Sequence, residues 1–338
     1  MHAPASPEIP GVRRLPHSEA LRFPDPPIAM VDSAAMRPCP GCGHDCATTR
    51  YDFGREKILR CARCRLMYID PLPTEAETRA VYGESYFRNP RFMSGDSDAL
   101  FGYADYIAER FIKQAQYTRI VREIRGYLPT MDRRPRLLEV GCGFGYFLDT
   151  AFEEGFDVAG IEFNQHAVDR LRRKYAFPIH FGALERMDLP ASSLDVVAMF
   201  DVIEHLRDPF GALARIHRAL VPHGLLIVAT PDAESWVSRL IGKRLEDFRR
   251  TREHLFFFGR RTLSDVLERH GFRVLLLRSV GHTFEIAFLL DRLALYNRPL
   301  FTALRSIVTK LGLGSVRLKI NPLTKMIAIA RRGGRDGP

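Results

Sequence analysis

A glycine turn between an apolar strand and a helix start, LLEVGCGFGYFL over 137–148, constrains the fold of this 338-residue chain more than any other segment. Gly141, Gly143 and Gly145 allow a tight turn and a close backbone approach to a ligand, because none carries a side chain. The spacing is GxGxG. Tyr146 and Phe147 stand where a dinucleotide-binding loop wants its third glycine, which argues against a nicotinamide cofactor. Around this turn, apolar runs at 136–140, 157–161, 196–200, 225–229, 273–280 and 326–330 alternate with helical patterns at 144–154, 165–175 and 209–219. Such alternation predicts an α/β fold: a parallel sheet with helices on both faces. Ligands of such sheets sit beyond the carboxyl ends of the strands, where Glu139, Gly141, Glu162 and Asp201 are expected. Glu162, ending the run DVAGIE, is placed to accept hydrogen bonds from ribose hydroxyls.

Two CxxC pairs, Cys39/Cys42 and Cys61/Cys64, are separated by 18 residues. That is the spacing of a four-thiolate zinc site, in which each pair forms a tight knuckle. Four ligands leave no open position, so the expected role is structural; a redox pair is the alternative. Cys46 and His44 lie between the pairs and are read as bystanders, and Cys142 as a small filler in the glycine turn.

Hydrophobic residues make up 46% of the chain and charged residues 27%, a globular balance. No apolar run reaches the length of a membrane span, and the first residues lack the apolar core of a secretion signal. With only six cysteines, these features lead to an expected cytoplasmic location. Nine of the 22 prolines fall in the first 40 residues, which predicts a disordered tail over 1–36. A zinc-binding unit is expected over 37–73, and a helical linker or substrate cover over 74–135, with helices at 74–82 and 103–127. The sheet domain follows over 136–332, then a tail over 333–338.

The net charge of +10 is uneven: from Asp291 onward, ten Lys or Arg face two Asp and no Glu. Between Arg239 and Arg261, eight Lys or Arg face three acids. An insertion at about 283–320 carries one or two amphipathic helices interrupted at Pro299, with Arg292, Arg298, Arg305 and Lys310 on or near the polar side. It is compatible with a lid, a dimer contact, or peripheral contact with an anionic inner membrane surface. No internal repeat is visible.

The order and spacing of LLEVGCGFG, the acid of GIE, LDVVAMFDVIEHLRDP, LVPHGLLIVATPD and EHLFFFGRRTLSDVLERHGF resemble the class I S-adenosylmethionine-dependent methyltransferases, over about 136–332. The resemblance implies a Rossmann-like methyltransferase sheet and S-adenosylmethionine as cofactor. It places the methionine part of the cofactor on the backbone of 141–145, Glu139 near its ammonium group, and Glu162 on the ribose diol. It also places Phe163 beside the adenine, and Phe200 and Asp201 along the methionine side. Many relatives carry an Asp for the adenine amino group where this chain has Ala183, so adenine would rely on backbone groups around Leu184; Asp188 is read as a loop acid. CRLMYIDPLPTEAETRAVYGESYF resembles the zinc-binding head of bacterial methyltransferases of glycan or natural-product tailoring, with Tyr82, Tyr86 and Phe87 at the entrance or simply packed. EHLRDP resembles ubiquinone-pathway O-methyltransferases, in some of which acids and the His help bind a divalent metal.

Methyl transfer to a hydroxyl needs alignment, exclusion of water and a base. Glu204, His205 and His254 are the candidates, against a capping and packing role for the Glu–His pair; His270, before Gly271, reads as a helix-end residue. The expected acceptor is a small molecule or a glycan, attacked through oxygen. A nucleic-acid methyltransferase is disfavoured, because the fourth strand ends in FDVIEH and carries no NPPY-type motif. A zinc-bearing binding protein without catalysis is the third reading, opposed by the intact glycine turn and Glu162.

Overall fold

The computed structural model describes residues 38–89, 103 and 110–333. The expected tail over 1–36, the start of the expected helix over 103–127, and residues 334–338 lie outside the described residues.

The strands are β1 (Ala47–Asp52), β2 (Lys57–Cys61), β3 (Met67–Asp70), β4 (Arg136–Val140), β5 (Asp157–Glu162), β6 (Ile179–Phe181), β7 (Leu194–Phe200), β8 (Leu220–Pro231), β9 (Phe256–Phe257), β10 (Phe272–Ser279), β11 (His282–Glu285), β12 (Arg317–Ile320) and β13 (Lys325–Arg332). The helices are α1 (Glu75–Val81), α2 (Arg110–Tyr127), α3 (Tyr146–Glu153), α4 (Gln165–Lys174), α5 (Pro209–Ala219), α6 (Trp236–Ile241), α7 (Glu246–Arg249), α8 (Arg260–Arg269), α9 (Ile286–Leu293) and α10 (Arg298–Lys310).

Seven strands form the central sheet in the order β10-β13-β8-β7-β4-β5-β6. The pairs β4–β5, β4–β7, β5–β6 and β7–β8 are parallel, while β13 runs antiparallel to both its neighbours. Helices cover both faces, so the central strands are apolar along their whole length: Leu137, Leu138, Val196, Val197, Leu226 and Ile227 are all fully buried. The chain leaves β4 towards β5 and β6, then returns to the other side of β4 for β7 and β8. The strand order therefore reverses at β4, which opens a crevice beyond its carboxyl end. The glycine turn follows β4 directly and lies in that crevice. This is a Rossmann-like sheet of an α/β fold, with helices on both faces.

The cysteine unit is a second sheet, β1-β2-β3-β9, whose last strand comes from the main domain. Met67 and Tyr68 pair with Phe257 and Phe256, and Ile69 N–H donates to the Leu255 carbonyl at 2.9 Å. Leu66, Tyr68 and Ile69 share one apolar core with Leu213 and Leu263 of the main domain. Glu234 accepts from Arg60 and Arg65 at 3.0 and 3.1 Å, which ties the unit to the loop after β8.

The insertion between β10 and β13 consists of the β11–β12 pair and helices α9 and α10. The break lies at 294–297. Pro299 is not the interruption: it sits in the first turn of α10, where its missing N–H costs no helical bond, after Asn297 accepts from Leu300 N–H as N-cap. Arg292 and Arg305 are held by Glu246 and Asp291 respectively.

Candidate functional site

Gly141, Gly143 and Gly145 all adopt positive φ, at 68°, 53° and 73°. A Cβ at Gly141 would stand 2.4 Å from Val202 Cγ2, and one at Gly145 2.7 Å from Leu171 Cδ2, so the turn tolerates side chains neither conformationally nor sterically. Glu162, at the end of the neighbouring strand, anchors this turn. Its Oε2 accepts Gly143 N–H at 2.8 Å and its Oε1 accepts Asn164 N–H at 2.8 Å. Each oxygen keeps a second acceptor position. Burial raises the Glu162 pKa, and the backbone donors of Asn164, Gly143 and Phe163 oppose that shift.

Glu139 is buried at the foot of the same turn, and its Oε2 has no hydrogen-bond partner. Burial, then the charge of Glu162, pushes its carboxyl well above the usual range. A buried acceptor left open beside a glycine turn fits a cationic ligand group, because desolvated carboxyl oxygens are costly without a donor.

Asn164 caps α4 through Ala167 N–H, and its Nδ2 donates to the carbonyls of Tyr82 and Gly83 at 2.8 and 3.0 Å. The segment after α1 is thereby fastened over the crevice. Tyr82 meets Phe163 edge-on with centroids 5.6 Å apart, and Phe87 packs on Phe144 of the glycine turn at 4.5 Å. Tyr82, Tyr86 and Phe87 thus pack together as a cover. The Leu184 side chain is buried in the core, so only backbone groups there remain for a ligand. Phe200 packs on Phe147 and Tyr117 at centroid distances of 4.6 and 5.3 Å.

A cavity of about 520 Å³ opens beyond β7 and β8, with Phe200, Asp201, Glu204, His205 and His254 at its inner end. The His205 and His254 rings lie 4.8 Å apart, edge to face. Leu255 N–H donates to the Glu204 carbonyl at 2.7 Å, which brings the segment after α7 against the turn after β7. His254 Nδ1 lies 3.0 Å from the Asp247 carbonyl. A carbonyl only accepts, so Nδ1 carries the proton and Nε2 keeps its lone pair. Burial, then the nearby Arg250 guanidinium, holds the His254 pKa well below its ordinary 6.5; burial also lowers that of His205. Both rings are neutral at pH 7, which a base requires.

Ligand atoms of Glu204, His205 and His254 lie within 4.8 Å of one another, close enough to share a metal ion. Glu204 Oε2 accepts from Thr230 at 2.9 Å, while Glu204 Oε1 and His205 Nδ1 have no hydrogen-bond partner. Three participants carry no local signal in the sequence. Lys325, at the start of β13, pairs with Asp201 from 124 positions away. Arg250 donates to Glu253 at 2.6 Å behind the histidines, an i,i+3 pair that reads as an exposed helix pair until burial is known.

The four cysteines of the two pairs come together, with ligand atoms within 4.8 Å of one another. Sγ–Sγ distances are 3.5 Å for Cys39–Cys64 and 3.6 Å for Cys42–Cys61. Four sulfurs about 2.3 Å from a tetrahedral zinc ion stand about 3.8 Å apart, so the cluster fits that ion. Cys46 is closer than a bystander, with its Sγ 3.6 Å from that of Cys61. His270 is the C-cap of α8 and meets the Val266 carbonyl at 2.7 Å, and Asp188 is an exposed loop acid.

Burial, then the charge of Asp201, raises the Glu204 carboxyl from 4.5 to about 8. The folded state therefore holds this proton more tightly than the unfolded chain. The stability it contributes is complete below pH 4.5 and lost as pH rises towards about 8. Glu204→Gln, which mimics the protonated acid, should flatten the decline of melting temperature across that window. An unchanged slope would place the titrating group elsewhere.

Residues 110–277 match the family described as methyltransferase domain. A protein of Mycolicibacterium smegmatis named as a probable S-adenosylmethionine-dependent methyltransferase is 37% identical over 97 residues, covering 28% of this chain and 38% of that protein. A ubiquinone biosynthesis O-methyltransferase of Cereibacter sphaeroides is 25% identical over 185 residues, covering 49% of this chain and 72% of that protein. A solved S-adenosylmethionine-dependent methyltransferase from Archaeoglobus fulgidus covers 67% of this chain and 98% of its own at 18% identity, with a TM-score of 0.45. The matches span 34–38% of the length of four curated relatives, those of M. smegmatis, Mycobacterium tuberculosis and Streptomyces fradiae among them. Residues 110–277 are a methyltransferase domain, similar over part of its length to proteins named as S-adenosylmethionine-dependent methyltransferases.

Proposed function

We propose that the protein moves a methyl group from S-adenosylmethionine to a hydroxyl oxygen of a small-molecule or glycan acceptor, with a structural zinc ion in its head. The observation that carries this reading is the His254 ring: neutral, buried, its Nδ1–H committed to the Asp247 carbonyl and its Nε2 free to take a proton at the cavity's inner end. When bound, the cofactor supplies a methyl group already activated on a sulfonium. The chain has to orient, exclude water and accept a proton. The backbone of 141–145 and the open oxygen of Glu139 hold the methionine end, Glu162 the ribose diol, and the ring of Phe163 flanks the adenine. The cover of Tyr82, Tyr86 and Phe87 keeps water from the crevice, and Asp201 is charge-balanced by Lys325. The cofactor would give up its methyl group by cleavage of the S–CH3 bond and leave as S-adenosylhomocysteine, and His254 Nε2 would accept the proton that the acceptor hydroxyl loses. His205 stacks edge-on against His254 and positions it.

A second reading is favoured by the unpartnered Glu204 Oε1 and His205 Nδ1: with His254 they would bind a divalent cation that lowers the pKa of the acceptor hydroxyl. Chelator-resistant turnover would favour the base, and turnover restored by Mg²⁺ or Mn²⁺ after chelation the cation.

Methyl-labelled S-adenosylmethionine, incubated with the protein and with polar and lipid fractions of a cell extract, should label an acceptor through a base-stable ether. His254→Gln should lower that rate about 10²- to 10⁴-fold while leaving cofactor affinity unchanged. The acid limb of the wild-type rate should lie below pH 6.5, because burial holds His254 neutral there. A variant as fast as wild type would remove His254 from the chemistry.

For the head, metal analysis should find one zinc ion per chain. Chelation, or Cys61→Ser, should release it and lower the melting temperature, because the head then loses the ion that holds its four thiolates together. Metal-free protein of unchanged stability would contradict the structural zinc.

A further inference from the structure

The cavity lining also carries apolar side chains. Val237 and Ile241 of the α6 segment and Phe288, Leu293 and Tyr296 of the insertion supply them, beside the charged Glu246, Glu285, Arg292 and Arg317. Two exposed apolar surfaces lie on the same two segments. On one side, Trp236 and Leu240 of α6 are 63% and 77% exposed. On the other, Leu300, Leu304, Ile307 and Leu311 are exposed, and their spacing of four, three and four residues puts them on one stripe of α10. The sides adjoin, because Leu240 and Ile241 share a groove with Leu295 and Tyr296 at the turn between α9 and α10.

Cations outnumber acids around these surfaces, where Asp52, Asp291 and Glu285 are among the acids. The run from Trp236 to Arg244 holds Arg239, Lys243 and Arg244 and no acid; the run from Arg298 to Lys319 holds five Lys or Arg and no acid. Arg305 and Arg317 are taken up by Asp291 and Glu285. Arg239, Lys243, Arg244, Arg298, Lys310 and Lys319 have no carboxylate within ion-pair distance among the described residues. Apolar stripes this exposed are unfavourable in water, and a rim with an excess of cations repels a second copy of itself. The combination matches the boundary of an anionic bilayer, where apolar side chains enter the acyl region, cations meet phosphates, and a tryptophan occupies the interface. A 13-residue helix spans about 20 Å against about 30 Å of hydrocarbon, so α10 lies in the surface plane.

We infer that the protein docks on anionic membrane through α6 and α10, and that its acceptor is an amphiphile drawn from that membrane, head group first, into the cavity. This deepens the methyltransferase reading and rests on it for the acceptor, but the docking surface does not. The polar inner end, with Asp201, Glu204, His205 and His254, receives the hydroxyl-bearing head. The apolar side chains of α6 and the insertion hold the chain that trails back to the bilayer.

Trp236 is the chain's only tryptophan, so its fluorescence reports the docking directly. The full chain, zinc-loaded, is titrated with vesicles of phosphatidylcholine containing about one third phosphatidylglycerol, and with phosphatidylcholine alone. The expected result is a blue-shifted emission and co-sedimentation with the anionic vesicles, weakened at least about tenfold by raising salt from about 0.05 to 0.5 M. Leu304→Gln with Ile307→Gln, which alters no charge, should weaken binding about tenfold or more while calorimetric affinity for S-adenosylmethionine stays the same. No shift with anionic vesicles, equal binding to neutral ones, or a lipid-free dimer that buries Trp236 would each overturn the proposal. Vesicle binding by a protein that fails to bind S-adenosylmethionine would uphold the docking surface and overturn the methyltransferase reading alone.

Discussion

The carboxylate of Glu162 organises the site. It ends β5, and one oxygen holds the N–H of Gly143 in the turn after β4 while the other holds the N–H of Asn164 at the start of α4. Two neighbouring strand ends and a helix start are thus fixed to one buried acid. Charged hydrogen bonds to backbone donors in such surroundings are strong, and their loss leaves buried N–H groups unsatisfied. Asn164 carries the constraint one step further, through its side-chain amide to Tyr82 and Gly83, so the cover over the crevice is set by the same corner of the sheet.

The head is less separate from the main domain than its cysteine framework suggests. β3 takes its outer partner, β9, from the segment just after His254, and Ile69 bonds to Leu255. The segment that carries His254 is therefore held between the head's sheet on one side and the Glu204 backbone on the other. Order in the thiolate cluster and order at the cavity's inner end are connected through these few main-chain bonds.

Much of the core was legible in the sequence, because strands buried on both faces read as unbroken apolar runs: β4 matches its expected bounds, β5, β7, β8 and β13 differ by extension at their ends, and β10 is displaced by one residue. β6 has three residues and β9 two, too short for any periodicity, and both exist through their neighbours. The glycine turn and Glu162 were legible because each needs a particular residue type for local reasons. Lys325 was not, since its pairing with Asp201 is created by the antiparallel return of β13 beside β8. The Arg250–Glu253 pair was equally hidden, because a charge pair in a basic stretch looks solvated until the insertion and the cover close over it. Pro299 was misplaced as a helix break because a proline at the first turn of a helix and one between two helices give the same local pattern.

The central claim is that the turn over 141–145 and Glu162 form a site for S-adenosylmethionine. Calorimetric titration of zinc-loaded protein with S-adenosylmethionine and with S-adenosylhomocysteine, in wild type and in Glu162→Ala, tests it most directly. Both ligands should bind the wild type, and the variant should lose about 1–3 kcal/mol of that affinity, the cost of removing a buried acceptor from hydroxyl and backbone donors. Folded, zinc-loaded wild type that binds neither ligand would contradict the account.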